Sequence, residues 1–252
     1  MRFASLGSGS RGNGTLVEHG DTRLLIDCGF PAAQTERRLA RLGCRGEDLA
    51  AILVTHEHGD HLRGVARLSR RHRLPVWATA GTAAALRGAV HRLHRFDALD
   101  AFAVGDLDVH PFPVPHDARE PAQFVIGDGV RRLGVLTDTG TPTPHIARML
   151  SGCDALLLEC NHDPAMLAAG PYPPALQARV GGDLGHLSNT QAAALLAGID
   201  CSRLRHVVAA HLSERNNRPE HARAALAAVL GCAPEWVGVA DQEAGLDWRD
   251  VG

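Results

Sequence analysis

The sequence predicts a mixed α/β (α+β) fold in which two mixed sheets lie between layers of helices. Short apolar runs bounded by turn residues dominate the first half of the chain, and segments with helical periodicity lie outside these runs. The composition is 45% hydrophobic with 27 Gly and 14 Pro in 252 residues, which is typical of a globular protein with many turns. Because no linker or low-complexity tract divides the chain, we expect a single domain over residues 1–252.

The predicted strands and helices follow from local patterns. Strands are expected at 2–6, 15–18, 23–27, 50–54, 76–79, 107–114, 123–127, 131–138, 155–159 and 206–211. The DG pair at 128–129 joins two of them as a hairpin. Helices are expected at 31–43, at 60–73 with Asp60 near the N-cap, from about Asn189, and at 219–231. The Pro/Gly-rich segment 161–183 is predicted to be a lid or connecting loop.

Bulk properties exclude several classes of protein. The formal net charge is −2, so any binding to nucleic acid must depend on local charge. The sequence has no apolar stretch of membrane-spanning length and no export signal, so we expect a cytoplasmic protein without a membrane partner. The six cysteines are scattered and form no C-x-x-C pair, which predicts buried, reduced thiols. The oligomeric state is left open.

The segment THEHGDH at residues 55–61 predicts a metal site directly after an apolar strand. Alternate residues of an extended chain point the same way, so His56 and His58 can reach one cation. Asp60 and His61 turn into the following helix and face a neighbouring position. One short loop could therefore supply two ligands to each of two metals.

Further polar residues follow other predicted strands. They are Asp27, His116, Asp138 and His211. Each residue alone would more often be a turn former or an ordinary loop or core histidine, but their shared position beside the complete motif favours metal ligation. Imidazole and carboxylate without thiolate suit zinc, manganese or iron in an open, catalytic site. Two such metals can share a water and lower its pKa.

These motifs resemble those of the metallo-β-lactamase superfamily. The resemblance implies a four-layer αββα sandwich with two divalent metal ions per chain. One metal would be held by His56, His58 and His116. The other would be held by Asp60, His61 and His211. Asp138 would bridge both, and Asp27 would orient the site.

Further segments resemble the YycJ-like (WalJ-type) branch of that superfamily. They are SLGSGSRGN (5–13), PVPHDAREP (113–121), ECNHDPAML (159–167), GPYP (170–173), GHLSN (185–189) and AHLSERNN (210–217). The resemblance covers nearly the whole chain and implies 5′→3′ exonuclease action on double-stranded DNA, and with it a part in DNA repair. Gly59 stands where the branch commonly has a small polar residue, but this is not a ligand position.

Phosphodiester hydrolysis needs a proton donor for the leaving oxygen and contacts to the substrate. The expected donor is His186, oriented by Glu159; the alternative is a loop histidine and a structural carboxylate. Expected substrate contacts are Ser8, Ser10, Asn13, Asn216 and Asn217 in loops, and Arg63, Arg67 and Arg71 along the helix after the metal motif. The alternatives are that the loop residues only stabilise turns and that the arginines only form a solvated helix face.

Other activities could use the same ligands. An RNA-processing nuclease, a small cyclic-phosphate diesterase and a small ester or thioester hydrolase stay open as alternatives. A redox role is disfavoured because the diiron relatives use Glu where this chain has His58. We therefore expect a dinuclear phosphodiesterase acting on nucleic acid, with double-stranded DNA as its substrate.

Overall fold

The computed structural model describes residues 1–86 and 88–252, and the strands in these ranges form two seven-stranded mixed sheets. The first has the order β14-β1-β2-β3-β4-β5-β6, with β1 Arg2–Gly7, β2 Gly14–His19, β3 Thr22–Ile26, β4 Ala51–Leu53, β5 Pro75–Ala78, β6 Arg92–Arg95 and β14 Leu246–Asp250. The second has the order β13-β12-β11-β10-β9-β8-β7, with β7 Phe102–Val104, β8 Leu107–Pro113, β9 Ala122–Gly127, β10 Arg132–Leu136, β11 Ala155–Glu159, β12 His206–Ala210 and β13 Gly238–Val239.

Helices connect and flank these sheets. Their bounds are α1 Ala32–Arg41, α2 Gly59–Leu62, α3 Val65–His72, α4 Ala80–Ala83, α5 Pro144–Leu150, α6 Pro164–Ala169, α7 Pro174–Val180, α8 Asn189–Ala197 and α9 Pro219–Leu230, with 3₁₀ turns at Gly46–Asp48, Ala84–Leu86 and Pro234–Trp236. Residues in the described ranges form no helix that is long and apolar enough to cross a membrane.

Three apolar clusters define four layers. The central cluster joins alternate residues of both sheets, for example Val17 with Phe124. A second cluster packs the other face of the first sheet against Leu39 of α1 and Leu68 of α3. A third packs the outer face of the second sheet against α5, α8 and α9. Because side chains alternate across a strand, each strand supplies two layers of core. The predicted αββα sandwich is therefore confirmed.

The site lies where the carboxyl ends of several strands meet. In the first sheet, β3, β4, β5 and β6 run parallel. In the second sheet, β10, β11 and β12 are parallel, and β8 has the same direction because β9 is antiparallel to both β8 and β10. Parallel strands end at one edge of a sheet. The polar residues that follow these strands are therefore brought to one edge of the sandwich.

Two predictions about local structure are wrong. The predicted helix 60–73 is two helices, and Asp60 lies in the first turn of α2, whose N-cap is His58. The break falls at Gly64, whose N–H donates to the Cys28 carbonyl at 2.7 Å instead of the Asp60 carbonyl, which accepts from the Asn13 N–H at 2.8 Å. The segment 161–183 contains α6 and α7, each started by a proline at its first turn, rather than loop alone.

Several short elements were not predicted from the sequence. They are β6, β7, β13, β14, α4 and α5. The strand β6 has the sequence RLHR and lies half-exposed at a sheet edge, so it lacks the apolar alternation that identifies a strand. All six cysteines are unpaired, and four of them are buried.

Candidate metal centre

Three imidazoles form the first predicted ligand cluster. His56 and His58 follow β4, and His116 follows β8 from the opposite sheet. Ligand atoms of all three lie within 4.8 Å of one another, and His116 Nε2 is 3.2 Å from His58 Nδ1. The strand alternation predicted for the H-x-H pair thus places both of its imidazoles beside the third.

A second cluster joins Asp60, His61 and His211 within the same 4.8 Å limit. Asp138 lies between the clusters. Its Oδ2 is 3.0 Å from His61 Nε2 and 2.9 Å from His211 Nδ1, and its Oδ1 is 3.9 Å from His116 Nε2. Asp138 therefore lies within 4 Å of ligand atoms in both clusters, a position that suits a bridging ligand.

The chemistry of these donors fits divalent cations. His56 is fully buried, and its Nε2 has no hydrogen-bond partner within the described residues. Burial and the neighbouring histidines hold the pKa of His56 well below its usual value, and burial also lowers the pKa of His116. Neutral imidazole is the form that binds metal, so both rings are ready for ligation. An unpaired buried nitrogen costs free energy unless a cation or water occupies its lone pair.

Charge coupling dominates the second cluster. Burial opposes ionisation of Asp138, but His211 and His61 beside it hold the pKa of its carboxyl well below the usual range. Burial likewise opposes protonation of His61, but the Asp138 and Asp27 carboxylates raise its pKa well above the usual value. A dense set of coupled ionisable groups in a cleft marks a functional site.

Neighbouring groups orient the ligand rings. Asp27 is 3% exposed, and its Oδ2 lies 2.8 Å from His61 Nδ1, which leaves Nε2 directed at the cluster. The same carboxylate accepts from the backbone N–H and the hydroxyl of Thr55 at 2.9 and 2.8 Å. Gly185 contributes its carbonyl oxygen, 3.0 Å from His116 Nδ1. Such contacts fix the tautomer and direction of metal-binding imidazoles.

Three of the site residues have left-handed backbone conformations. The φ angles are 62° at Asp27, 50° at Asp138 and 53° at His211. A non-glycine residue in this region costs about 1–3 kcal/mol, and such residues concentrate at functional sites. The bend comes directly after a strand at Asp27 and His211 and two residues after β10 at Asp138, and it turns each side chain towards the common edge.

The proposed proton donor lies beside both clusters. His186 Nδ1 is 2.7 Å from Glu159 Oε1 and 3.4 Å from Asp138 Oδ1. Glu159 is fully buried, and its Oε2 accepts from the backbone N–H groups of Thr139 and Leu187. Burial opposes protonation of His186, but the Glu159 carboxylate raises its pKa to about 9. The structure thus brings together the pair that was predicted from the sequence.

Four of the predicted substrate contacts in loops are buried. Ser8 accepts from the His211 backbone N–H at 2.9 Å, and Asn13 Nδ2 is 3.0 Å from His61 Nε2. Asn217 donates to the Cys160 carbonyl at 2.7 Å. All three are nearly fully buried, and Asn216 is completely so. Ser8, Asn13 and Asn217 thus bind protein atoms through their side chains, and the role of these four residues as substrate contacts stays a prediction.

A cleft of about 260 Å³ opens over the clusters. Its described lining contains Ser10, five predicted metal ligands and His186, together with Asn161, Tyr172, Arg179, Val180 and Ser213. This lining does not include the predicted arginine contacts. Arg63, Arg67 and Arg71 are exposed, but Arg63 caps the end of α2 whereas the other two lie on α3. Arg71 also pairs with Glu36 at 3.0 Å.

The cleft residues that were not predicted come mainly from the segment 161–183. Tyr172 precedes α7, and Arg179 lies at its carboxyl end. The four prolines of this segment indicated a loop and concealed the helix. Asn161 could have been noticed, because it follows the strand β11 as the predicted ligands follow theirs.

The sandwich and its clusters of His and Asp at convergent strand ends define a class of protein. A model described as the beta-lactamase superfamily domain matches residues 22–212, so the chain belongs to the metallo-β-lactamase superfamily. With its His/Asp clusters, it is a metal-dependent hydrolase of this fold. The metallo-beta-lactamase fold protein YhfI from Bacillus subtilis has a similar fold, with a TM-score of 0.77 and 17% identity over 99% of both chains.

Curated relatives identify the branch of the superfamily. The chain is 35% identical to exodeoxyribonuclease YycJ from Bacillus anthracis over 235 residues, which cover 91% of this chain and 89% of the relative. It is 33% identical to exodeoxyribonuclease WalJ from Streptococcus pneumoniae over 246 residues, which cover 95% and 91%. The chain is therefore a member of the YycJ/WalJ branch, and the resemblance seen in its motifs is confirmed.

Proposed function

We propose that this protein is a dinuclear metal-dependent phosphodiesterase that digests double-stranded DNA from the 5′ end. The observation that carries the proposal is one cleft in which two His/Asp clusters meet a histidine paired with a buried glutamate. The extended similarity to proteins named exodeoxyribonucleases supports DNA as the substrate. Action in DNA repair would follow from such an activity.

The two clusters would hold two divalent cations, for which zinc or manganese is the first choice and iron is also suitable. His56, His58 and His116 would hold one, Asp60, His61 and His211 the other, and Asp138 would bind both. When bound, such a pair activates water and neutralises charge on the phosphoryl oxygens. Asp27 would keep His61 in its ligating orientation through the hydrogen bond to Nδ1.

His186 would supply the proton that the leaving oxygen needs. Its Nδ1–H is held by Glu159, so the proton available for transfer is the one on Nε2. Glu159 would act as a positioning residue, because two backbone N–H groups fix its second oxygen. A fixed donor at the edge of the metal clusters can protonate the leaving oxygen as its bond to phosphorus breaks.

A time course on 5′-end-labelled duplex DNA tests the proposal. The purified protein is incubated with Mn²⁺ or Zn²⁺ beside the His58→Ala variant, which loses an imidazole of the first cluster. Release of labelled mononucleotides by the wild type alone is the expected result. An inert duplex, in a preparation with two metals per chain, would overturn the DNA assignment and direct the search to RNA and small phosphodiesters.

A further inference from the structure

Arg179 is the fixed positive charge of the metal cleft. The chain contains 26 Lys and Arg residues in total, all of them arginine, and of these only Arg179 belongs to the described lining of the cleft. It lies at the carboxyl end of α7, beside Tyr172 and Val180. The lining also contains the neutral hydroxyl residues Ser10 and Ser213. Outside the predicted metal ligands and His186, Arg179 is therefore the charged residue of the described lining.

Asp117 links the guanidinium of Arg179 to the first histidine cluster. Arg179 Nε donates to Asp117 Oδ2 at 2.6 Å. The other oxygen of Asp117 lies 3.5 Å from His116 Nε2 and 3.9 Å from His58 Nε2. The carboxylate thus stands between the guanidinium and the first histidine cluster. In the described ranges no residue bonds to the terminal NH₂ groups of Arg179, so its two-pronged donor edge is available.

Backbone contacts, rather than core packing, hold this arginine in place. The helix α7 has no buried residue. Its carboxyl end instead lies against Gly185, where an added Cβ would be 2.2 Å from the Arg179 carbonyl oxygen. The Asp117 backbone N–H donates to the Leu184 carbonyl at 3.1 Å, so both partners are attached to one loop. An exposed ion pair contributes little to stability, so a purely structural role explains this arrangement poorly.

We infer that Arg179 binds a phosphate of the substrate strand adjacent to the scissile phosphodiester, with Asp117 as its positioning residue. This inference rests on the proposed function. A phosphate held by both clusters would be separated from the guanidinium by the Asp117 carboxylate, whereas the next phosphate along the strand can meet the free donor edge. Guanidinium binds phosphate with two parallel hydrogen bonds, which fixes direction as well as affinity. Arg179 would therefore determine which side of the clusters the phosphates occupy.

Steady-state kinetics of Arg179→Ala on two substrates test this inference. On a 5′-phosphorylated duplex, kcat/KM should fall about 10- to 100-fold, as expected for loss of a hydrogen bond between charged groups. On bis(p-nitrophenyl) phosphate, which has no neighbouring phosphate, it should stay within about twofold of wild type. Arg179→Lys should recover only part of the loss, because it keeps the charge without the fork.

Arg119→Ala is the matched control. Arg119 is 66% exposed, as Arg179 is 62%, and it also has an acidic partner, Glu57 at 4.0 Å, but it lies outside the cleft lining. Its kinetics should resemble those of the wild type. Metal content and unfolding temperature of each variant verify that the fold is intact.

The outcomes separate this inference from the proposed function. Wild-type kinetics of Arg179→Ala on the duplex, or equal losses on both substrates, would overturn it while the nuclease activity stands. A wild-type protein that cleaves only the small diester would overturn both. A duplex with a 5′-hydroxyl end distinguishes the two sources of phosphate. If Arg179→Ala no longer lowers kcat/KM on this duplex, the contact is with the 5′-terminal phosphate. If the loss of kcat/KM persists, the contact is with the next internal phosphate.

Discussion

His186→Ala should slow DNA hydrolysis without removing metal. A positioned proton donor contributes about 10²- to 10⁴-fold to the rate, so kcat on duplex DNA should fall by that factor. His186 is not one of the predicted metal ligands, and its Nδ1 is bonded to Glu159 at 2.7 Å. Its removal therefore leaves both clusters of predicted ligands complete. Metal analysis should still give two ions per chain.

Leaving-group dependence makes this prediction specific. A p-nitrophenyl ester of thymidine 5′-phosphate releases a stable phenolate that needs no proton, so its hydrolysis by His186→Ala should fall less than about tenfold. Glu159→Gln keeps the shape and the acceptor for Thr139 N–H but loses the charge that holds His186. It should cost about 10- to 100-fold on DNA, the value of a charge-assisted hydrogen bond.

A double variant and a remote control complete the test. His186→Ala combined with Glu159→Gln should be no slower than His186→Ala alone, because the two residues act in series. His110→Ala, at an exposed position of β8, should match the wild type. Equal losses on DNA and on the activated ester, or loss of metal from His186→Ala, would refute the proton-donor role.

The other predictions concern metal binding and the exposed arginines of α3. Removal of metal by a chelator should lower the unfolding temperature, and metal at 100 times its Kd should raise the free energy of unfolding by about 2.7 kcal/mol. An unchanged melting curve would argue against metal binding by the folded protein. Asp138→Ala should abolish turnover and lose metal, whereas retention of two ions would exclude its bridging role. Asp27→Asn should weaken metal affinity about 10- to 100-fold in a chelator titration, because the bond to His61 Nδ1 is disturbed. The double variant Arg67→Ala, Arg71→Ala should weaken duplex binding and reduce the slope of log binding constant against log salt concentration by about 2. An unchanged slope would mean that both residues only form a solvated helix face.

The layers of the fold could be predicted because they depend on simple periodicity. Strands such as β3, β4 and β11 each contain three or four consecutive apolar residues, which pack alternately into two of the three core clusters. Edge strands could not be predicted, because β6 and β13 are short and half-exposed and owe their conformation to a neighbouring strand. The break between α2 and α3 depends on tertiary hydrogen bonds of the Gly64 N–H to the Cys28 carbonyl and of the Asn13 N–H to the Asp60 carbonyl, which no local pattern encodes.

The candidate ligands were predictable for a related reason. Residues that follow parallel strands reach one edge of a sheet whatever the length of the connections, so position along the chain was sufficient. The left-handed backbone at Asp138 and His211 was not predictable, because neither residue type requires it. Tertiary contacts impose this conformation, and it is the conformation that aims both side chains at the same point.

The burial of polar residues beside the ligands could not be predicted from the sequence. Asn13 and Ser10 lie in the same Gly-rich loop, three residues apart, and either could serve as a substrate contact. In the structure Asn13 is buried against His61 and Asp60, whereas Ser10 is exposed in the cleft. The difference arises from the direction in which the loop closes over α2, where the Asn13 N–H donates to the Asp60 carbonyl at 2.8 Å. The closure of the loop therefore decides which of its polar side chains is buried beside the ligands and which is exposed in the cleft, and residue type alone does not encode that difference.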